Sequence, residues 1–289
     1  DAPSNVGDLS QLLSENPSAN IVAAGTDLNL EITQSMKEFS HIVSVNRVSE
    51  LKQIVEKGSE IEIGSAVSYE EVKSILIKYW PDLDSFLQRF ASLPIKNWAT
   101  IGGNIANASP IGDMAPVMIA LESKLKLRKG ESSRTILLED FFISYKKTLL
   151  EPSEFIESIV IPKPSNQDRL MTHKISKRYE DDISAVCMAI NVKFNKSKPN
   201  SVKIGIGGMS GIPQRAIELE KVFLDHWDKE GLTSAAYEAL NREFTPFSDV
   251  RASSEFRLKV GAGLVKKSSL ILQGYPVQDL AHYSESKKS

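Results

Sequence analysis

The stretch NWATIGGNIANASPIGDMAPVMIAL, residues 97–121, places small polar residues and turn formers directly before a continuous apolar segment. Gly102 and Gly103 lack a Cβ atom and tolerate positive φ, so a ligand can lie against the backbone there. The neutral hydrogen-bonding side chains around them are Thr100, Asn104, Asn107 and Ser109. The stretch is therefore either an ordinary tight connection or a backbone segment that is held close to a ligand.

A helix is expected to begin after Pro110 or near Asp113, because apolar sequence resumes there. Helix N-termini favour phosphate, since their free amides and the helix dipole present positive charge. Asp113 would then either cap this helix or accept hydrogen bonds from ribose hydroxyls.

A second loop of the same character lies upstream, where IVAAG (21–25) is followed by Thr26 and Asp27. The apolar residues predict a buried strand that runs into a glycine turn, and successive free amides in such a turn attract phosphate. When the stretch is taken alone, a plain strand-to-helix turn is favoured, because a turn with one glycine is common. With residues 97–113, however, it could hold the two phosphates of a dinucleotide. Neither stretch carries GxxxxGK[ST], which argues against a P-loop.

Composition restricts the function classes. The chain has 289 residues, of which 41% are hydrophobic, and a net charge of −2, so it is an ordinary globular protein. It shows no basic face for nucleic acid, no apolar run near the roughly 18 residues of a membrane span and no signal peptide. The single Cys187 and four scattered histidines predict no disulfide and no protein-bound metal. A cytoplasmic location is expected.

The hydrophobic pattern predicts an α+β fold. Strands are expected at 21–25, 41–45, 60–67, 124–128 and 155–162, and in the runs ISAVCMAINVKF and SVKIGIGGM. Ser68 and Glu71 form a predicted capping box that opens a helix to about Trp80. Further helices are predicted at 82–91, 213–226, 233–243 and 253–267, the last with Phe256, Val260 and Leu264 on one face.

A Pro-, Ser- and Asn-rich segment, residues 162–168, predicts a domain boundary. The domains expected from the sequence are residues 1–165 and 168–273, followed by a disordered tail at 274–289. The chain is expected to be either an excised domain or a natural subunit.

Two further stretches have alternative interpretations. GIGGMSG (205–211) is out of register with GxGxxG, so a strand packed closely against a neighbour is favoured over a nucleotide loop. KISKRYEDDIS (174–184) is either a solvated charged loop or, because it lies close to the predicted boundary, a cleft wall.

Five motifs together resemble the FAD-binding part of the molybdenum hydroxylase family. They are AAGTDL, RFASLPIKNWATIGGNIANASPIGD, FFISYKKTLLEPSEFI, KISKRYEDDISAV and GGM, in that order. The similarity extends from about Asn20 to Leu270 and is greatest to the FAD-containing small subunits of the bacterial xanthine dehydrogenase branch. It implies a PCMH-type FAD-binding fold of two α/β subdomains, followed by a domain of the carbon monoxide dehydrogenase flavoprotein C-terminal type.

The resemblance also implies roles for individual residues. The first pyrophosphate loop corresponds to Ile21, Val22, Ala23, Ala24, Gly25, Thr26 and Asp27, although family members often have a second glycine where Ala23 or Ala24 stands. The second loop and its surroundings correspond to Thr100, Gly102, Gly103, Asn104 and Ser109. Phe90 and Ile156 match the pair that encloses the adenine, and Asp113 and Lys174 match polar contacts of FAD. The flavin-side segment corresponds to Lys174, Arg178, Asp181, Asp182 and Ile183.

The implied function is electron transfer in a xanthine dehydrogenase. Electrons would arrive from [2Fe–2S] clusters on another domain or chain, and FAD would pass hydride to NAD. The molybdenum cofactor would lie on a separate subunit, giving a hetero-oligomer. The alternatives are the flavoprotein subunit of a sibling enzyme, of the carbon monoxide dehydrogenase or hydroxybenzoyl-CoA reductase type, and a non-catalytic assembly module with a vestigial FAD site.

Overall fold

A small parallel strand pair and two helices form the first part of the chain in the computed structural model, which describes residues 1–277. Its elements are α1 (Val6–Glu15), β1 (Asn20–Val22), α2 (Leu28–Ser35) and β2 (Ile42–Ser44). The strand predicted at 21–25 is present but is shorter and less buried than expected: β1 ends at Val22, Ile21 is 38% exposed, and β1 pairs only with β2 within residues 1–277. Helix α2 buries none of its residues. In the segment between β1 and α2, Gly25 is buried and Asp27 is exposed.

A five-stranded antiparallel sheet and five short helices form the next part. The elements are β3 (Ile54–Lys57), β4 (Glu60–Gly64), α3 (Tyr69–Tyr79), α4 (Leu83–Arg89), α5 (Leu93–Trp98), α6 (Ile101–Ala106), α7 (Met114–Ala120), β5 (Lys124–Lys129), β6 (Ser132–Leu137), β7 (Phe142–Ser144), β8 (Lys147–Thr148) and β9 (Phe155–Pro162). The sheet order is β3-β4-β9-β5-β6, and β7 pairs with β8 in a separate two-stranded sheet. Ile61 and Ile63 are fully buried, as the period-two pattern predicts.

The predicted capping box at the start of α3 is confirmed. The Glu71 carboxylate accepts a hydrogen bond from the Ser68 amide at 2.8 Å, and the Glu71 amide donates to Ser68 Oγ at 3.3 Å. The two bonds satisfy amides that the helix itself cannot pair, and they fix the first turn of α3.

A four-stranded antiparallel sheet and three helices form the rest of the described chain. They are β10 (Asp168–Ile175), β11 (Val186–Asn195), β12 (Lys198–Gly207), β13 (Gln214–Arg215), α8 (Ile217–His226), α9 (Leu232–Glu243) and α10 (Ser254–Leu272). Helices α8 and α10 pack on this sheet, and α7 packs on β11 and β12. The predicted apolar face of α10 is partly wrong, because Phe256 is 46% exposed whereas Leu264 is buried. Ala262 and Val265 lie in the core instead.

The glycines of residues 205–211 serve packing, as the sequence interpretation favoured. A Cβ atom on Gly205 would lie 2.0 Å from the backbone oxygen of Pro116 in α7. Gly208 adopts φ +82°, and a Cβ there would lie 2.2 Å from the carbonyl oxygen of Ala185. The second sheet can therefore approach α7 closely because Gly205 lacks a side chain, and the residues after β12 can approach Ala185 because Gly208 lacks one.

No helix within residues 1–277 is long and apolar enough to cross a membrane. Most of the predicted disordered tail, from residue 278 onward, lies outside the described residues.

Replacing Gly205 with Ala is expected to lower the free energy of unfolding by at least about 1–3 kcal/mol, because the new methyl group overlaps the Pro116 carbonyl. Urea unfolding measures this loss. Gly211→Ala is the matched control, since a Cβ there meets nothing within 4 Å. Equal stability of the two variants would contradict the close contact.

Candidate functional site: a cleft between two loops

A cleft of about 560 Å³ opens where the β1–α2 segment faces α6 and β9. Its lining includes Ile21, Val22, Ala23, Ala24, Gly25, Thr26, Asp27, Phe90, Thr100, Gly102, Gly103, Asn104 and Ile156. These predicted site residues come from distant parts of the sequence, and the fold brings them together in one cavity. Its volume lies in the range of small-molecule and cofactor sites.

The first loop presents backbone amides to this cleft. Gly25 adopts φ +73°, whereas neither Ala23 nor Ala24 has positive φ, so the alanines are unstrained. The amides of Thr26 and Asp27 donate to no acceptor within residues 1–277. Asp27 precedes α2 without a side-chain capping bond. Consecutive amides of this kind, in a glycine turn, form a binding site for an anion.

The second loop differs from the sequence expectation. Gly102 and Gly103 tolerate positive φ, but they lie inside α6 and neither adopts it. A Cβ on Gly102 would lie 2.4 Å from the Cβ of Ser65, so this glycine allows α6 to pack. The first amides of α6 are already paired: Gly102 donates to Ser65 O at 3.0 Å, and Gly103 donates to Thr100 Oγ1 at 3.2 Å.

Asn104 is the polar group that the second loop offers to a ligand. Its Oδ1 is buried and has no hydrogen-bond partner within the described residues, although the side chain lines the cleft. A buried amide oxygen without a partner is costly, so a ligand that donates a hydrogen bond would satisfy it. The second loop therefore contributes side chains, whereas the first contributes amides.

Apolar walls complete the cleft. Phe90 follows α4 and Ile156 lies in β9, and each is less than a tenth exposed. The ring of Tyr69 packs edge-to-face on Phe90, with centroids 4.6 Å apart, and fixes its orientation. Flat apolar walls beside free amides fit a dinucleotide, because its rings need stacking and its phosphates need donors. The residues present in the cleft therefore fit FAD.

Asp113 and Lys174 form a buried ion pair that does not line the cleft. Lys174 Nζ lies 2.5 Å from Asp113 Oδ2 and 2.9 Å from Ser184 Oγ, which also donates to the other Asp113 oxygen. Asp113 makes no side-chain capping bond to α7, so of the two alternatives for this residue the helix cap is not formed. Ser184 was not singled out in the sequence, although it lies in the charge run 174–184.

Cys187 contacts the same cluster, since its Sγ donates to the backbone oxygen of Asp113 at 3.4 Å. Burial, together with the Asp113 charge, raises the pKa of the Cys187 thiol well above its ordinary value. The thiol therefore remains protonated and buried. Ser109 also lies outside the cleft lining, and its Oγ accepts a local bond from the Ile111 amide at 3.4 Å.

Residues 176–184 connect β10 to β11 without regular structure. The Asp182 carboxylate accepts hydrogen bonds from the Arg178 amide at 2.8 Å and from its own neighbour, the Ile183 amide, at 3.0 Å. These bonds, with the Arg178 side chain, lower the pKa of Asp182 to about 2. The bonds therefore persist above the ordinary pKa of an aspartate and are lost as the pH falls towards 2. Asp181 adopts φ +54°, and Ile183 is 45% exposed.

Arg89, the last residue of α4, holds the segment 176–184 in place. Its guanidinium donates to Lys174 O at 2.7 Å, Tyr179 O at 3.2 Å and Ser176 Oγ at 3.2 Å. It also lies 5.0 Å from the centre of the Tyr179 ring. Sequence reasoning missed Arg89; the only signal was its position directly before Phe90. Arg89 thus links the cleft wall to the segment that carries Arg178, Asp181 and Asp182.

Replacing Lys174 with Met is expected to lower the free energy of unfolding by about 3–5 kcal/mol, because the Asp113 carboxylate stays buried without its cation. Chemical denaturation measures this. Lys174→Met combined with Asp113→Leu is expected to recover most of the loss, since no buried charge then remains. If Lys174→Met alone were as stable as the parent chain, the Asp113–Lys174 ion pair would not be a buried interaction.

Two family models cover most of the chain. The FAD binding domain in molybdopterin dehydrogenase matches residues 2–164, and the CO dehydrogenase flavoprotein C-terminal domain matches residues 171–271. Both agree with the fold and with the resemblance that the five motifs predicted, so those two predictions are confirmed.

Several xanthine dehydrogenases are similar in sequence. The xanthine dehydrogenase/oxidase of Gallus gallus is 31% identical over 222 residues, covering 72% of this chain and 16% of that protein. The xanthine dehydrogenase of Emericella nidulans is 30% identical over 260 residues, covering 84% of this chain and 19% of that protein. The chain thus spans less than a fifth of the length of these relatives.

Solved structures share most of the described fold. A chain of carbon monoxide dehydrogenase from Hydrogenophaga pseudoflava has a TM-score of 0.86 at 25% identity, covering 92% of this chain and 93% of that chain. A chain of quinoline 2-oxidoreductase from Pseudomonas putida 86 has a TM-score of 0.83 at 22% identity, covering 94% of this chain and 96% of that chain, and shows the fold alone. On the family match over residues 2–164, this chain belongs to the FAD-binding domains of the molybdopterin dehydrogenases.

Proposed function

We propose that this chain is the FAD-binding, electron-transfer part of a xanthine dehydrogenase, with NAD as the electron acceptor. The observation that carries the proposal is the juxtaposition, in one cleft, of the unpaired Thr26 and Asp27 amides with Asn104 and with the Phe90–Ile156 walls. The similarity to xanthine dehydrogenases supports the choice of branch.

The cleft residues divide the work of holding FAD. The Thr26 and Asp27 amides would donate to a phosphate, and Asn104 Oδ1 would accept a hydrogen bond from a hydroxyl of the ligand. Phe90 and Ile156 would enclose the adenine and exclude water from it. Bound FAD would supply the two-electron hydride chemistry that links iron–sulfur clusters to NAD.

The segment 176–184 would form the flavin side of the site. Lys174 is compensated by Asp113, so the pair would act on the flavin as a fixed dipole rather than as a single positive charge. Asp182 is occupied in holding its own loop, whereas the Arg178 side chain is 76% exposed and can meet an anionic dinucleotide such as NAD. Asp181 and Ile183 would shape the same surface.

The rest of the enzyme would lie on other domains or chains. We place the [2Fe–2S] clusters on an iron–sulfur domain and the molybdenum cofactor on a separate subunit, in a cytoplasmic hetero-oligomer. Within residues 1–277, no three potential ligands among His, Cys, Asp and Glu are grouped for a metal ion.

A second candidate is the corresponding part of a sibling molybdenum hydroxylase. The structural similarity to carbon monoxide dehydrogenase favours it. Capture of the partner subunit from the native cell extract, followed by its identification, separates the two candidates. A third candidate, an assembly module with a vestigial FAD site, predicts that no FAD binds.

The direct test is to add FAD to the purified chain, desalt it, record the visible spectrum and then add NADH without oxygen. Flavin absorbance is expected to remain with the protein and to bleach with NADH. If the flavin stays bound but does not bleach with NADH, this would contradict the proposal that this chain by itself exchanges electrons with NAD. No retained flavin in a folded sample would contradict the whole proposal and favour the vestigial module.

Replacing Gly25 with Ala is expected to weaken FAD binding about tenfold, because alanine is strained at φ +73° and a Cβ would meet the Asn29 side chain at 2.9 Å. Fluorescence titration with FAD measures the affinity. Gly130→Ala is the matched control: its φ is +59°, it carries similar backbone strain, and it lies in the β5–β6 turn away from the cleft. An equal effect of both changes would assign the loss to general destabilisation.

A further inference from the structure

Tyr69 carries a buried hydroxyl group that no residue of the described chain satisfies. The side chain is the first residue of α3 and is 1% exposed. Its hydroxyl has no hydrogen-bond partner within residues 1–277. Burying a hydroxyl without a partner costs free energy, whereas phenylalanine would fill the same space without that cost. A partner from outside the chain would explain why the hydroxyl is tolerated there.

The position of Tyr69 points to the cleft as the source of that partner. Tyr69 lines the cleft beside Phe90, with the two ring centroids 4.6 Å apart. The Tyr69 backbone is held because its amide donates to Ala99 O at 3.0 Å and the Ser68–Glu71 capping box fixes the first turn of α3. The ring itself is held by burial and by its contact with Phe90, so the hydroxyl could reach solvent only by breaking that packing.

The neighbouring carboxylate does not satisfy the hydroxyl. Within residues 1–277, the Asp113 carboxylate accepts hydrogen bonds from Lys174 and Ser184 but none from the Tyr69 hydroxyl. Burial, and then the Asp113 charge, raise the pKa of Tyr69 well above its ordinary value, so the group stays a neutral hydroxyl that can donate. Together with Asn104 Oδ1, Tyr69 gives the cleft lining two buried polar atoms that lack partners in the described chain.

We propose that the Tyr69 hydroxyl donates a hydrogen bond to an acceptor atom of the dinucleotide bound in the cleft, beside Phe90. Tyr69 is then a binding residue for this ligand. This inference rests on the proposed function, because it requires that the cleft binds FAD.

The test compares Tyr69→Phe with the parent chain in two measurements, FAD affinity by fluorescence titration and thermal unfolding without FAD. We expect FAD affinity to fall about tenfold, as for one lost hydrogen bond in a buried site. The unfolding midpoint without FAD is expected to stay the same or to rise, because the change removes an unsatisfied hydroxyl. Tyr79→Phe is the control, since Tyr79 donates to Glu56 outside the cleft; its FAD affinity should not change.

Unchanged FAD affinity in Tyr69→Phe would overturn the inference. A lower midpoint without FAD, with affinity unchanged, would instead show that the hydroxyl has a partner inside the protein. If the parent chain itself fails to bind FAD, the proposed function falls and this inference falls with it. The parent titration therefore distinguishes the two failures.

Discussion

The complete burial of α7 is the constraint on which the rest of the structure depends. All seven residues from Met114 to Ala120 are buried, because one face of the helix joins the core of the five-stranded sheet and another lies against β11 and β12. A helix between two layers must be apolar all round, and its partners must approach closely. Gly205 meets the second requirement at Pro116. The Asp113–Lys174 ion pair then joins the start of α7 to β10.

The two loops of the cleft differ in whether their backbone amides are paired within the protein. Every amide at the start of α6 finds a protein acceptor, so that loop is a packed structural element. Within the described residues, the Thr26 and Asp27 amides find none. Unpaired amides favour an anion. The preference of the cleft for an anion is therefore set mainly by the β1–α2 loop.

Local patterns in the sequence predicted the elements whose causes are local. The alternation around Ile61 and Ile63 and the Ser68–Glu71 capping box depend only on near neighbours, and both are present. The role of Gly102 could not be predicted, because it depends on Ser65 approaching α6 in three dimensions. Likewise, Lys174 lies 61 residues from Asp113 in the sequence, and no periodicity signals a contact across that separation. The resemblance named many residues of the cleft lining, but it also named Ser109, Asp113 and Lys174, which lie outside that lining. It gave no role to Arg89 or Tyr69.

Helix α2 has a thermodynamic consequence for the site. It is eight residues long, buries no residue and begins directly after the loop with unpaired amides. So short a helix is marginal by itself, because nucleation is costly and tertiary packing is what usually stabilises helices. A ligand that binds the amides directly before α2 would fix the N-terminus of this helix, which packing does not do. Part of its binding free energy would then be used to order α2, so that helix formation and cofactor affinity form one coupled equilibrium.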